Sequence, residues 1–341
     1  MEMKNSTMKR TILGALACSL GAVLALPELV EAGTADERNK TLVVVNKGED
    51  SVSFIDLASG RERQREKTGP SPHEAALSPE GKRVAVAAYG GSTIDVFEVS
   101  SGRRMARIDL APNAAPPGLA WVSGQKLAIA AEKSRSLVLV DVAKGTFQAI
   151  PLEQAGTHMV VLSPDRKTAY AANVAAGTVS VVDLSSRRKI KDIPVGGNPE
   201  GIAVSHDGRY LWVGDNSAPR VRIVDLGNGK IIDTLPTDPV PIRVVISRDG
   251  RTAVTSNIGA GSLSVFDARS RKLLRTIPVS GKREAVQVTV HLIPDGSKAF
   301  VAETGADKIA EVDLTSGEVT RRIATGKGGD GLALAEREPG R

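Results

Sequence analysis

Four histidines occur in the chain, and two of them, His73 and His158, hold the same place in a repeated pattern. Each lies 25 residues ahead of an acidic residue set between apolar neighbours, Glu98 and Asp183. The same offset from Asp225 falls on Glu200, and Asp330 stands in the equivalent place near the C-terminus. A carboxylate beside an imidazole raises its basicity and selects its tautomer, which suits a general base or an oriented metal ligand. His73, His158, Glu200 and Asp330 are therefore the candidate ligand-binding residues, with His73 and His158 the candidate metal ligands. In Pro-His and Pro-Glu-Gly turns such side chains can also simply bond to loop amides. His206, in an Asp-Gly turn, and His291, inside an apolar strand, read as structural.

The pattern that aligns these residues is a repeat. Its acidic anchors are Asp56, Glu98, Asp141, Asp183, Asp225, Asp267 and Asp313, spaced 42, 43, 42, 42, 42 and 46 residues apart. About twenty residues before most anchors stands a turn of the kind Ser205-His206-Asp207-Gly208. One copy is degenerate at Val122-Ser123-Gly124, and another carries about four extra residues around Lys282 to Gln287. Each unit holds four short Val/Ile/Leu runs separated by Pro, Gly, Asp and Asn turns, and none has a helical period. Four antiparallel strands per unit of 40–45 residues describe a propeller blade. Aromatic residues make up only 3% of the chain, so the core must be built from Val, Ile, Leu and Ala.

Both ends of the repeat region point to closure. Thr41 to Lys67 matches the last three strands of a blade, and Asp330 to Ala335 matches the missing first one. The expected fold is all-β, a seven-bladed propeller whose ring is closed by pairing the N- and C-terminal segments, which removes open strand edges.

Pro199-x-Gly201-Ile202-Ala203-Val204-Ser205-x-Asp207-Gly208 resembles the YVTN-family β-propeller repeat, and the resemblance covers roughly residues 40–335. Asn46, Asn173 and Asn257 match the family's strand-ending Asn, with Asp215 and Glu303 in its place elsewhere. The resemblance implies an exported bacterial propeller, some relatives of which bind nucleic acid. More distantly it implies kinship with propeller lactonases and with the haem-carrying propeller of nitrite reductases.

In the propeller the residues just before the first strands converge at one channel mouth: His73, Pro117, His158, Glu200, Ile242, Val288 and Asp330. Asp330 then neighbours His73, and His158 neighbours Glu200. The chain carries no Gly-x-Ser-x-Gly elbow, His-Glu-x-x-His or Cys-x-x-Cys-His. Gly326-Lys327-Gly328-Gly329 precedes a strand and lacks the helix of a phosphate loop.

The net charge is +6, with basic residues gathered on the fourth strands, as in Arg103-Arg104 and Arg187-Arg188-Lys189. Charged edge strands deter strand addition. An anionic partner on this rim, nucleic acid included, is the other reading, although aromatics interleaved for stacking are lacking.

Lys4, Lys9 and Arg10 precede the uncharged run Thr11 to Leu26, followed by Val30-Glu31-Ala32. This reads as a signal peptide (1–32) cleaved after Ala32, or after Ala35, and not as a membrane span. The lone Cys18 lacks a lipoprotein context and is removed with it. A linker (33–40), the propeller (41–335) and a tail (336–341) complete the chain. The expected function is that of a periplasmic or secreted, monomeric, non-enzymatic scaffold binding a protein or small ligand at the mouth, with no cofactor. The alternatives are a lactonase-like hydrolase, a haem or metal carrier using His73 and His158, and nucleic-acid binding on the basic rim.

Overall fold

The computed structural model describes residues 39–336, so the expected signal peptide and Cys18 lie outside the described residues. Twenty-eight strands, β1 to β28, form seven four-stranded antiparallel sheets, the seven blades. Blade 1 is β28 (Gly329–Glu336), β1 (Lys40–Asn46), β2 (Ser51–Asp56) and β3 (Arg61–Lys67), so the two ends of the described chain close the ring within one sheet. Lys40 faces Glu336 and Leu42 faces Leu334 across that seam. The innermost strands of blades 2 to 7 are β4 (Pro72–Leu77), β8 (Leu119–Ser123), β12 (Thr157–Leu162), β16 (Pro199–Val204), β20 (Pro241–Ile246) and β24 (Gln287–Leu292).

The core lies between blades. Each of seven apolar clusters joins two neighbouring sheets, and Val, Ile, Leu and Ala dominate all of them. The few aromatics sit where two blades meet, as Phe54 against Phe97 and Trp212 against Phe266. The extra residues ahead of β24 form a short 3-10 turn, Arg283–Ala285, followed by Val286 at a positive φ.

The strand-ending Asn residues have a mechanical role. Asn46 donates to Ser51 (2.9 Å) and Ser53 (2.7 Å), five and seven residues on. Asn173 bonds to Thr178 and Ser180 with the same offsets, and Asn257 to Ser262 and Ser264. In blade 5 the trio becomes Asp215, Arg220 and Arg222, with contacts of 2.9 and 2.8 Å. Burial would raise the Asp215 pKa, but hydrogen bonds from Ser217, the Asn198 amide and Arg220 pull it down to about 2.

One local irregularity matters for the site. The register of β4, β12, β16, β20 and β24 shifts at their first residues, between Pro72 and Glu74, for example, or Pro241 and Arg243. Such bulges re-aim side chains. Here they turn consecutive residues toward the channel.

Candidate functional site

The four residues singled out by their spacing meet at one mouth of the channel. His73 Nε2 lies 4.0 Å from an Asp330 oxygen, and His158 Nε2 lies 3.6 Å from Glu200 Oε1. The two pairs are themselves joined, because the His73 and His158 rings meet edge-on at 5.3 Å. Small, flat Pro117 lies between their blades, and its carbonyl takes a hydrogen bond at 3.1 Å from His73 Nδ1. A carbonyl only accepts, so Nδ1 carries the proton, and Nε2 is the nitrogen nearer Asp330. Burial, then the positive charges of Arg243 and Lys47, hold His73 well below the usual histidine range. Burial likewise pushes Asp330 up, against the pull of Lys47 and Arg243. Burial thus favours the neutral imidazole at His73.

His158 is set differently. Its Nδ1 is 3.0 Å from Glu132, which also accepts from the Tyr89 hydroxyl at 3.0 Å. The His158 bond, against burial and with help from Tyr89, holds the Glu132 carboxyl below its ordinary range. An ionised Glu132 fixes the tautomer with Nδ1 protonated and Nε2 facing Glu200. Burial and the Glu132 bond push the Tyr89 phenol up to about 12, so it serves as a neutral donor.

Tyr89 and Glu132 belong to a second ring that the spacing argument did not reach. Nine residues before each anchor stand Lys47, Tyr89, Glu132, Val174, Asn216, Ile258 and Thr304. Each backbone N–H donates to the turn leading into its blade's first strand, as Tyr89 to Ser71 O (3.1 Å) and Asn216 to Asn198 O (3.0 Å). The signal was present in the same repeat, one strand further on.

Glu74 and Arg243 were also missed, and both are buried charges of the site. Arg243 in blade 6 reaches across the channel to Glu74 in blade 2, with Nη2 at 2.8 Å and Nε at 3.1 Å from one carboxylate oxygen. Its Nη1 donates to Glu200 at 2.8 Å. Burial opposes the Arg243 charge, but Glu74, Glu200 and Asp330 more than offset it and hold its pKa above the ordinary range. Burial pushes the Glu74 carboxyl up in spite of Arg243. Both residues follow a mouth residue directly, at a place where siblings carry Gly118, Gly201 and Gly331. At Gly201 a Cβ would fall 2.6 Å from the Arg243 backbone, so glycine there lets the next blade approach.

The outcome is a cup. Arg243 with Glu74 and Glu200 makes the floor, and His73, Tyr89, His158, Glu132, Lys47 and Asn216 make the wall. One side of the cup holds an unfilled acceptor among the described residues. Asn216 Nδ2 donates to Glu200 at 2.6 Å, while its buried Oδ1 has no partner. That orphan and the Glu200 carboxylate are adjacent acceptors beside His158 Nε2, an arrangement suited to hydroxyl or ammonium donors.

Both candidate metal ligands, His73 and His158, are engaged with their neighbours. Each imidazole has one nitrogen hydrogen-bonded and the other within 4.0 Å of a carboxylate. Among the described residues no three His, Cys, Asp or Glu side chains are grouped as metal ligands. His206 is exposed in its turn, and burial of His291 on β24 lowers its pKa to about 4.

The family described as "Lactonase, 7-bladed beta-propeller" matches residues 49–241, more than half of the chain. No curated protein matches it. Among solved structures, a functionally unknown protein from Desulfotomaculum acetoxidans aligns at a TM-score of 0.74 and 16% identity, over 87% of this chain and 99% of that one. Hydrazine synthase of Kuenenia stuttgartiensis aligns at 0.69 and 14%, over 78% and 95%. The dihydro-heme d1 dehydrogenase NirN, solved in complex with DHE, aligns at 0.65 and 17%, over 88% and 76%. At such identities these three share the fold.

Proposed function

This chain belongs to the lactonase seven-bladed β-propeller family, and from that premise we propose that its mouth is a binding site for a small, donor-rich ligand, a polyol or an amine. The observation that carries the reading is the buried, unpartnered Asn216 Oδ1 beside Glu200 and the Nε2 of His158. An unfilled buried acceptor loses hydrogen bonding on folding, and a ligand donor would restore it. The scaffold role expected from the sequence is consistent with this: the blades hold the cup rigid, and the charged floor closes it.

Calorimetric titration with sugars, aldonolactones and polyamines tests the reading. Asn216→Ala should weaken the bound ligand at least tenfold without altering unfolding, and Glu200→Gln, which also removes a partner of Arg243, should weaken it as much. A ligand that binds equally to both variants would refute the assignment.

A second reading rests on the Glu132–His158 contact. A carboxylate-oriented imidazole can take a proton from water as the water attacks a lactone carbonyl. The ring C–O bond then breaks, and the alkoxide recovers the proton from His158. Continuous proton release from lactones, abolished in His158→Asn and slowed in Glu132→Gln, would favour hydrolysis over binding alone. Export as a monomer remains part of the proposal, tested by the intact mass of the mature chain, with cleavage expected after Ala32.

A further inference from the structure

On the face opposite the mouth, a cleft of about 590 Å³ opens between blades 3 and 4. Five cations line it: Lys126, Lys144, Arg166, Lys167 and Arg187. The lining contains one carboxylate, Asp141, which is 3.9 Å from Lys144. Phe147, at the start of β11 (Thr146–Pro151), presents a partly exposed ring beside them. The volume falls in the range of small-molecule sites.

The backbone sets this cleft apart from the other gaps between blades. Arg166 lies in the turn after β12, at φ 56°, where four sibling turns carry Gly81, Gly208, Gly250 and Gly296 at φ 68–74°. Arg187 lies in the turn between β14 (Thr178–Asp183) and β15 (Arg188–Pro194) of the same blade, at φ 57°, where Gly60, Gly102, Gly145, Gly229 and Gly317 stand at φ 65–83°. Left-handed backbone is unfavourable for any residue with a Cβ, and such outliers gather where function requires them. The one other arginine in that series, Arg271, is used structurally, over the Tyr210 ring at 4.6 Å and 3.9 Å from Asp233. Arg187 instead donates across the gap to Gln148 at 2.7 Å, and no ion pair engages Arg166 among the described residues. Two arginines thus replace turn glycines in one blade, and both line one cleft.

We propose that this cleft binds a phosphate monoester carrying a ring, with the phosphate held by Arg166, Lys167 and Arg187 and the ring laid on Phe147. Five cations against one carboxylate suit a dianion better than a single carboxylate ligand. The site is independent of the mouth.

Phenyl phosphate and adenosine 5′-monophosphate are the probes, with inorganic phosphate and adenosine as controls, titrated by calorimetry at low and at physiological salt. One equivalent of each probe should bind, at least tenfold tighter than either control, and more weakly as salt rises. Arg166→Gly and Phe147→Ala should each weaken binding at least tenfold while the thermal midpoint is kept or raised. Glu200→Gln should leave it unchanged, which separates this site from the mouth. No binding of either probe, or binding indifferent to both substitutions, would overturn the proposal. So would affinity for oligothymidylate that grows with its length.

Discussion

Replacing Arg243 by Met isolates the contribution of the channel crossing. At an effective dielectric near 20, unit charges about 4 Å apart attract by about 4 kcal/mol, and Arg243 has two such partners in Glu74 and Glu200. Desolvation of three charged groups offsets most of that attraction, so the intact cluster adds little net stability. Losing one member is another matter: the carboxylates stay buried without their cation, at a cost of about 3–5 kcal/mol. Guanidinium denaturation should therefore show Arg243→Met destabilised by that amount at pH 8. The penalty should shrink toward pH 5. Glu74 already has a raised pKa, and without Arg243 it rises further, so the folded variant takes up a proton that the unfolded chain does not. Stability bound up with such a proton is present at low pH and lost as pH rises through the folded pKa. The double variant Arg243→Met/Glu74→Gln should recover most of the loss at pH 8. A single variant as stable as the parent at pH 8, or a double variant no better than the single, would refute the view that Arg243 neutralises a buried carboxylate pair.

Three further outcomes follow from single residues. Gly201→Ala would drive a Cβ into the backbone of Arg243 and Val244, and should cost about 1–3 kcal/mol in denaturant unfolding. Ultraviolet titration should show one tyrosine ionising near pH 12, and that step should vanish in Tyr89→Phe. His291, held neutral by burial with a pKa of about 4 against an ordinary 6.5, favours the unfolded chain as pH falls from about 6.5 to 4. His291→Gln should flatten stability against pH over that interval.

The repeat made the fold legible because a propeller converts distance along the chain into angle around a ring. Equal offsets from Glu98, Asp183 and Asp225 put His73, His158 and Glu200 at one mouth without any knowledge of contacts. Their partners were hidden for two physical reasons. Tyr89, Glu132 and Asn216 reach the same opening from the ends of second strands, so a rule taking one residue per blade passes over them. Glu74 and Arg243 directly follow a mouth residue, where a bulge shifts the register of the inner strand, so two consecutive residues serve the mouth where one per blade is expected. The outer strands were read as basic and protective. They also expose Ile231, Ile232, Leu273 and Leu274 between their lysines, a mixture that composition alone blurs.

The seam of blade 1 sets how the ring responds to force. Lys40 and Glu336 are direct partners on antiparallel strands, so a pull applied between the chain beyond these two residues acts at one end of the ladder. Its hydrogen bonds then carry the load one after another, as in a zipper, and not all together in shear. Tethering the protein through both flanks would peel β28 from β1 at low force and open the ring at its one non-sequential sheet. Tethering through a single flank would leave the seam unloaded and both faces accessible.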